Sequence, residues 1–191
     1  MTERHGPLVR EPETGERRQE WGTIAENAVR LDPSDAEAVV DALSVDHAGS
    51  FNLFYLLRKH HWTAEGTQHE TVADFLADAA QRVREMNDEV AIRIVELGGI
   101  PPNTPPTIQE RAEVHLEAED RYDLRASLAG DLEGYATLVA GLRDHVELVE
   151  GRGDQTSGTL LRDHLDALES DADTIQRLLE ADTLVRPEVL Q

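Results

Sequence analysis

The chain has 191 residues, and its 39 acidic side chains outnumber 18 lysines and arginines to give a formal net charge of -21. This balance argues against nucleic acid as a default partner, because phosphate binding needs clustered cations. The chain has no cysteine, which excludes disulfides and thiolate metal sites, and no apolar run is long enough to span a membrane.

The acidic excess is informative about the surroundings of the protein. Self-repulsion destabilises a compact acidic chain unless salt screens it, and the Debye length falls to about 3 Å at 1 M salt. The composition therefore favours a salt-rich cytoplasm, with an ordinary acidic protein as the alternative. The first residues, Met1 to His5, lack the apolar core of a signal peptide, so we expect a cytoplasmic protein.

The chain divides into a polar start, a long periodic body and a short end. Residues 1–31 predict a mobile N-terminal tail, with a short ordered piece around 21–31. A helical body is expected over 32–185, followed by a C-terminal tail over 186–191. The first helix opens at Asp32-Pro33-Ser34, where an aspartate or serine can cap it, and should end near 63–66.

Three further helices follow from apolar residues at three- and four-residue steps. The second runs over about 68–97, and Gly98-Gly99 ends it. Four prolines between 101 and 106 are expected to forbid helix and to begin a link that reaches about Asp120. The third helix then continues to Gly151, and the fourth covers about 154–181.

No segment alternates as a strand does. Four long helices joined by short, long and short links predict an all-α fold: a ferritin-like four-helix bundle with one long crossover between helices 2 and 3. There is no glycine-rich phosphate loop, and no serine or cysteine nucleophile set.

One stretch resembles a known family. Lys59-His60-His61-Trp62, then Gly66, then a helix that ends Leu97-Gly98-Gly99 is similar to the Dps proteins, the miniferritins that protect DNA in starved cells. The ending over 182–185, Asp-Thr-Leu-Val, resembles salt-adapted members. The resemblance covers about residues 35 to 185.

The resemblance implies a hollow shell of twelve identical subunits that oxidises Fe(II) with hydrogen peroxide and stores ferric mineral. Iron is the metal implied, and no haem is expected. The family builds its iron site between two subunits. In this numbering its positions are His61, Ala73 and Ala77 from one subunit, and Asp88 and Ile92 from the other.

Only His61 and Asp88 keep residues that can bind iron. Ferrous iron favours imidazole and carboxylate ligands, and isoleucine cannot bridge two metals. Arg84 lies one turn before Asp88, and we expect the two to pair at i, i+4 spacing. These departures predict a weak or lost ferroxidase activity, so enzymatic activity is an open question.

A relocated iron site is the alternative. His61 could combine with His69, Asp74 and Asp78, which lie near the start of the second helix. The same acids would otherwise form a solvated face. Trp62 follows the ligand position and is either an electron donor to an oxidant or an interface aromatic.

The remaining histidines are expected to be structural or exposed. His47 shares the apolar stripe of His61 and should be packed or lie in an interface, whereas His60 is one residue off the stripe and should be solvated. His145 and His164 each follow an aspartate and should lie on the surface, with a metal bridge between them as the alternative.

Three functions remain open at this level. The first is a Dps-like shell protein for iron binding, storage and oxidative-stress protection, with weak or lost ferroxidase activity, which can co-assemble with an active paralogue. The second is an active Fe(II) oxidase with a rearranged site. The third is a non-catalytic structural or interaction bundle. DNA binding is not expected, because the N-terminal tail has no lysine.

Overall fold

The computed structural model describes residue 9, residues 11–66 and residues 69–180, and this part of the chain is all-α. Four long helices and one short helix follow one another without a strand among the described residues. They are α1 (Pro33–Thr63), α2 (His69–Glu96), α3 (Pro105–Arg111), α4 (Leu124–Gly151) and α5 (Gln155–Glu180).

The long helices form the predicted bundle. α1 packs mainly on α2, α4 packs mainly on α5, and α1 also contacts α4. Leucines, valines and small residues at helical spacing fill one core shared by all four. At 1.5 Å per residue, each long helix spans roughly 40–45 Å. The expected ferritin-like architecture with a long second connection is therefore confirmed.

The helix ends follow local chemistry. The side chain of Asp32 accepts a hydrogen bond from the backbone amide of Ser34 at 3.0 Å, and Pro33 occupies the first helical position of α1. Asp154 caps α5 in the same way, and its carboxylate also binds the buried Arg93 of α2 at 2.8 Å. This ion pair holds the end of α2 to the start of α5.

The crossover differs from its prediction. Prolines were expected to forbid helix, yet Pro105 and Pro106 begin α3. The reason is that proline lacks only an amide hydrogen that the first turn leaves unpaired in any case. The third long helix begins at Leu124, capped by Asp123, and not at Asp120.

Small residues let the crossover lie close to the bundle. Val114 is 1% exposed, and it packs where Gly49 of α1 and Gly134 of α4 have no side chains. The side-chain amide of Asn52 donates to the carbonyl of Val114 at 2.7 Å. The crossover is thus seated between α1 and α4.

Part of the N-terminal segment is bound to the end of α2. The amide of Ala25 donates to the carbonyl of Gly98 at 2.9 Å, and the side chains of Gln19 and Asn27 donate to carbonyls of Gly98 and Leu97. These contacts involve residues 19–27, which overlap the start of the ordered piece expected around 21–31. Residues 182–191, including the ending that resembles salt-adapted proteins, lie outside the described residues.

None of the described helices is long and apolar enough to cross a membrane.

Candidate functional site

His61 lies in the last turn of α1, and its ring is partly buried. Its Nδ1 is 2.9 Å from the backbone carbonyl oxygen of Ala73 in α2. Because a carbonyl oxygen can only accept, Nδ1 carries the hydrogen, and the neutral ring presents its Nε2 lone pair. Metal-binding histidines commonly have this arrangement. The Nε2 atom of His61 is therefore a nitrogen that could hold a metal ion.

Trp62 is the most exposed of the large apolar residues of the described chain, at 67%. The guanidinium of Arg58 lies 4.8 Å from its ring centroid, within the range of a cation–π contact. An indole this exposed is available to a partner surface. The role of Trp62 as an electron donor stays a prediction.

The positions facing the metal in the resemblance carry few donors. Asp88 and Ile92 lie one turn apart on exposed α2 surface, and Ile92 is 60% exposed. Ala73 and Ala77 are partly buried and offer only backbone atoms. The expected Arg84–Asp88 ion pair does not form among the described residues, because both side chains are solvated and such pairs gain only tenths of a kcal/mol.

The relocated ligands do not come together within one chain. His69, Asp74 and Asp78 are all exposed on α2, and Nδ1 of His69 donates to the carbonyl of Gly66 at 2.9 Å. Within the described ranges, no three histidine, aspartate or glutamate side chains are arranged to hold a metal ion.

His60 is buried, although we expected it to be solvated. Its ring is 1% exposed, with Nδ1 2.8 Å from Asp131 of α4 and Nε2 3.1 Å from Glu117 of the crossover. Lys59 binds the same Glu117 oxygen at 2.6 Å. The prediction failed because α1 is covered on this side by α4 and the crossover, which the periodicity of α1 alone cannot show.

His145 and His164 also form pairs in place of lying free on the surface. Nδ1 of His145 is 2.8 Å from Oδ1 of the buried Asp46, and Nε2 of His164 is 2.9 Å from Glu89. His164 is 5% exposed. The expected packing of His47 is confirmed, since its ring is buried between the carbonyls of Asn87 and Pro102.

A sequence signal for these pairs exists. The pattern Asp-x2-Gly-x3-Leu-x3-Leu-Arg-x-His occurs in α1 from Asp46 to His60, and again in α4 from Asp131 to His145. The helices are antiparallel, so the aspartate of each pattern meets the histidine of the other. Two Asp–His pairs result, of which His60–Asp131 is buried and His145–Asp46 is partly exposed at the histidine.

Burial and pairing act in opposite directions on these groups. Burial lowers the pKa of His60, but its bonds to Asp131 and Glu117 outweigh this and raise it. Burial likewise lowers the pKa of His145, but its hydrogen bond to Asp46 and the charge of Asp46 outweigh burial and raise the pKa. Burial raises the pKa of Asp131 despite the His60 bond. Pairing therefore favours the protonated form of each histidine, and burial favours the protonated form of each aspartate.

The known proteins that this chain resembles identify its family. The Ferritin-like domain family matches residues 40–185. A DNA protection during starvation protein of Halobacterium salinarum is 42% identical over 165 residues, which are 86% of this chain and 91% of that protein. The chain belongs to the Dps family of ferritin-like proteins.

Solved Dps structures have the same fold. The crystal structure of an archaeal Dps homologue from H. salinarum matches this Dps chain with a TM-score of 0.85 and 40% identity, covering 92% of this chain and 98% of that one. A Dps protein of Vibrio cholerae O1, described as a member of a broad superfamily of ferritin-like diiron-carboxylate proteins, matches with a TM-score of 0.76 and 22% identity, covering 84% and 99%. That second likeness concerns the fold alone.

Proposed function

We propose that this Dps-family chain forms a shell that binds and stores iron under oxidative stress, with weak or lost ferroxidase activity. The observation that carries the proposal is the donor set at the family's iron position. His61 presents a free Nε2 lone pair and Asp88 an exposed carboxylate, whereas Ile92 places an exposed apolar side chain where a second carboxylate is needed.

Two protein donors are too few for a di-iron centre. A ferrous ion bound by one imidazole and one carboxylate takes its remaining ligands from water. Without a bridging carboxylate, nothing holds two irons at the spacing that lets an oxidant accept electrons from both. Iron would therefore bind weakly here, and the acidic surface supplies further carboxylates for it.

The exposed apolar residues favour assembly with a second copy. Hydrogen bonds place His61 level with Ala73 and His47 level with Asn87, so α1 and α2 are antiparallel. Tyr55 and Trp62 on α1 then lie at one end of this pair; Ile92 and Val95 on α2 lie at the other, and all four are 47–67% exposed. A second copy of the chain, related by a two-fold axis, would place the aromatic residues of each chain against the aliphatic residues of the other. Such a contact is self-complementary.

Oxidation of Fe(II) by the purified protein tests the activity. We expect a rate with hydrogen peroxide, or with oxygen, no faster than that of the buffer. The matched gain-of-function variant is Ala73→His/Ala77→Asp/Ile92→Glu, which supplies the missing donors and should oxidise Fe(II) measurably. Rapid oxidation by the unmodified chain would contradict the proposal and support the rearranged-site alternative.

Sizing in concentrated salt tests the assembly. We expect a twelve-subunit shell, as the family implies. Ile92→Lys and Trp62→Lys should each shift the protein towards smaller species, while Glu85→Lys on nearby exposed α2 surface should not. A monomer in concentrated salt would remove the shell and leave the structural-bundle alternative.

Co-assembly with an active paralogue is the second candidate, and the retained donors favour it. In a homodimer each iron position has two protein donors, His61 and Asp88. A mixed dimer would have two different iron positions. One would combine His61 of this chain with the two carboxylates of the paralogue. The other would combine the three donors of the paralogue with Asp88 of this chain. A mixture that oxidises Fe(II) more slowly than the same amount of the active paralogue alone would count against this candidate.

We propose that DNA association is weak. The relative from H. salinarum carries DNA protection in its name, but this chain has a net charge of -21 and one lysine, and salt screens any phosphate contact. A gel shift should show no complex in concentrated salt, and a complex that persists there would contradict us.

A further inference from the structure

An open cavity lies near one end of the bundle, between the N-terminal segment and the first half of α1. Its volume is about 530 Å³, which is within the range of small-molecule sites. Five separate parts of the chain line it, namely residues 21–24, α1 between Ser34 and Ser44, Ile100 after α2, Arg111 at the end of α3 and Arg152 after α4.

The charged residues that line this cavity are balanced, unlike those of the whole chain. Arg111 and Arg152 line it together with Glu37 and Asp41, whereas acidic residues outnumber lysines and arginines by 39 to 18 in the sequence. A ligand of one sign would meet attraction and repulsion in similar measure. The balance therefore favours a ligand that carries both a positive and a negative charge.

Two of the charged groups have unused capacity for such a ligand. Nη1 of Arg111 donates to Oδ1 of Asp41 at 2.7 Å, and the other N–H groups of Arg111 have no acceptor among the described residues. Glu37 is exposed, and its carboxylate has no hydrogen bond or ion pair within the described part of the chain. It precedes Asp41 by one helical turn, which places the Cβ atoms of the two acids roughly 5–6 Å apart. Arg111, held at Asp41, is therefore close to one turn from Glu37.

The indole of Trp21 supplies an apolar wall beside the arginine. The guanidinium carbon of Arg111 lies 5.3 Å from the centroid of the Trp21 ring, and the side chains of Ile24 and Val40 continue the apolar lining. Trp21 is 47% exposed. Its free area is available to an apolar group of a ligand whose anionic group binds Arg111.

Hydrogen bonds on both sides of Trp21 hold this wall in place. The side-chain amide of Gln19 donates to the carbonyl of Gly98 at 2.8 Å, and the backbone amide of Ala25 donates to the same oxygen at 2.9 Å. The segment that carries the indole is thus attached to the bundle before any ligand arrives, which lowers the entropic cost of binding.

We propose that this cavity binds a free α-amino acid with an apolar side chain. Arg111 binds its carboxylate, Glu37 binds its ammonium group, and Trp21 packs against its side chain. An α-amino acid carries both charged groups on one carbon, so it reaches two partners that are one helical turn apart. Arg111 has five N–H donors and can hold Asp41 and the ligand together. The site does not involve iron, so all tests use iron-free protein.

Calorimetric titration of the full chain with L-phenylalanine tests the recognition. The titration uses the lowest salt at which the chain stays folded, because salt screens exposed charges. We expect saturable binding of one molecule per chain. The analogue 3-phenylpropionate lacks the ammonium group and phenethylamine lacks the carboxylate, so each should bind at least about tenfold more weakly. No saturable binding of L-phenylalanine at millimolar concentration, or an analogue that binds as tightly, would overturn the proposal.

Glu37→Gln tests the ammonium contact. It should weaken L-phenylalanine about tenfold and should not weaken 3-phenylpropionate, because only the first probe has an ammonium group. The matched control is Glu133→Gln, which changes an exposed glutamate of α4 outside the cavity lining and should affect neither probe. An unchanged affinity of Glu37→Gln for L-phenylalanine would show that the probe binds elsewhere, and the proposal would fail.

Trp21→Ala tests the apolar wall. It should weaken L-phenylalanine by about fivefold or more, because the aromatic contact is lost. Val29→Ala changes another exposed apolar residue of the N-terminal segment, outside the cavity lining, and should leave the affinity unchanged. Equal affinities of these two variants for L-phenylalanine would remove Trp21 from the site and contradict the proposal.

Discussion

The atoms that contact the two ring nitrogens of a histidine decide what that ring can bind. His61 donates to a carbonyl and keeps a free Nε2, which suits a metal. His60 meets carboxylates at both nitrogens, which suits a retained proton. The two rings are neighbours in sequence, yet only one is available to a ligand, because a helix directs successive side chains about 100° apart.

The buried His60–Asp131 pair should be costly to break. We expect Asp131→Ala to lower the free energy of unfolding by about 3–5 kcal/mol, because it leaves His60 buried without its main partner. Denaturant unfolding in concentrated salt measures this. The exposed Asp166→Ala is the control and should be near neutral. A loss below about 1 kcal/mol would place the pair among weak surface contacts.

The His145–Asp46 pair predicts a pH dependence of stability. Burial lowers the pKa of His145, but the hydrogen bond to Asp46 and the charge of that carboxylate outweigh burial. The pKa of His145 is therefore higher in the folded than in the unfolded chain. Its contribution is full below the unfolded value of about 6.5 and is lost as pH rises through the raised folded pKa. We therefore expect unfolding free energy to fall over this window, and His145→Gln to reduce that slope. His115→Gln, at an exposed position, should not, and an unaltered slope in His145→Gln would refute the assignment.

At the scale of elements, close approach of backbones decides the arrangement. Gly49 and Gly134 occupy matching places in the repeated pattern of α1 and α4, and both make room for the crossover. Gly98 does the same for the N-terminal segment. Its φ is +86°, and an added Cβ would lie 2.2 Å from the carbonyl oxygen of Ala25. The Leu-Gly-Gly end of α2 is therefore both a helix terminator and a docking point.

Gly98→Ala should release the N-terminal segment. The matched control is Gly153→Ala, which has a φ of +83° but no atom within 4 Å of the added Cβ. Both variants carry backbone strain of roughly 1 kcal/mol, and only Gly98→Ala adds the clash. Limited tryptic digestion should cut faster at Arg30 in Gly98→Ala than in Gly153→Ala, and equal rates would show that the clash is relieved without release.

At the scale of the whole molecule, charge sets the conditions for folding. A net charge of -21 repels itself at long range, whereas the buried Asp–His pairs are screened little by salt. Salt should therefore stabilise the folded chain by screening its surface charges, and it should have little effect on the buried pairs. The same charge keeps separate molecules apart in solution and disfavours contact with DNA phosphates.

Stability should consequently rise with salt. We expect the midpoint temperature of unfolding to increase from dilute buffer to about 1 M sodium chloride, as the Debye length shortens to about 3 Å. An uncharged osmolyte such as sucrose separates screening from exclusion effects, since it should raise the midpoint less. A midpoint that is unchanged or lower in salt would contradict adaptation of this surface to salt.

The sequence by itself determined the class of the fold and its family. Helical periodicity, caps such as Asp32 and terminators such as Gly98 act over a few residues, so they can be read along the chain. The spacing of His61, Trp62 and Gly66 likewise identified the Dps resemblance, which in turn predicts missing donors at Ala73, Ala77 and Ile92. The proline-rich crossover was misread, because proline at a first turn starts a helix as readily as it stops one.

Only the tertiary structure decided which polar groups are buried and what they meet. His60, His145 and His164 looked exposed from their own helices, but each is covered by residues more than 50 positions away in sequence. The burial of a side chain depends on how antiparallel helices align, and local periodicity carries no record of that alignment. The paired Asp–His contacts exist for this reason, and they appear only once the four helices are packed.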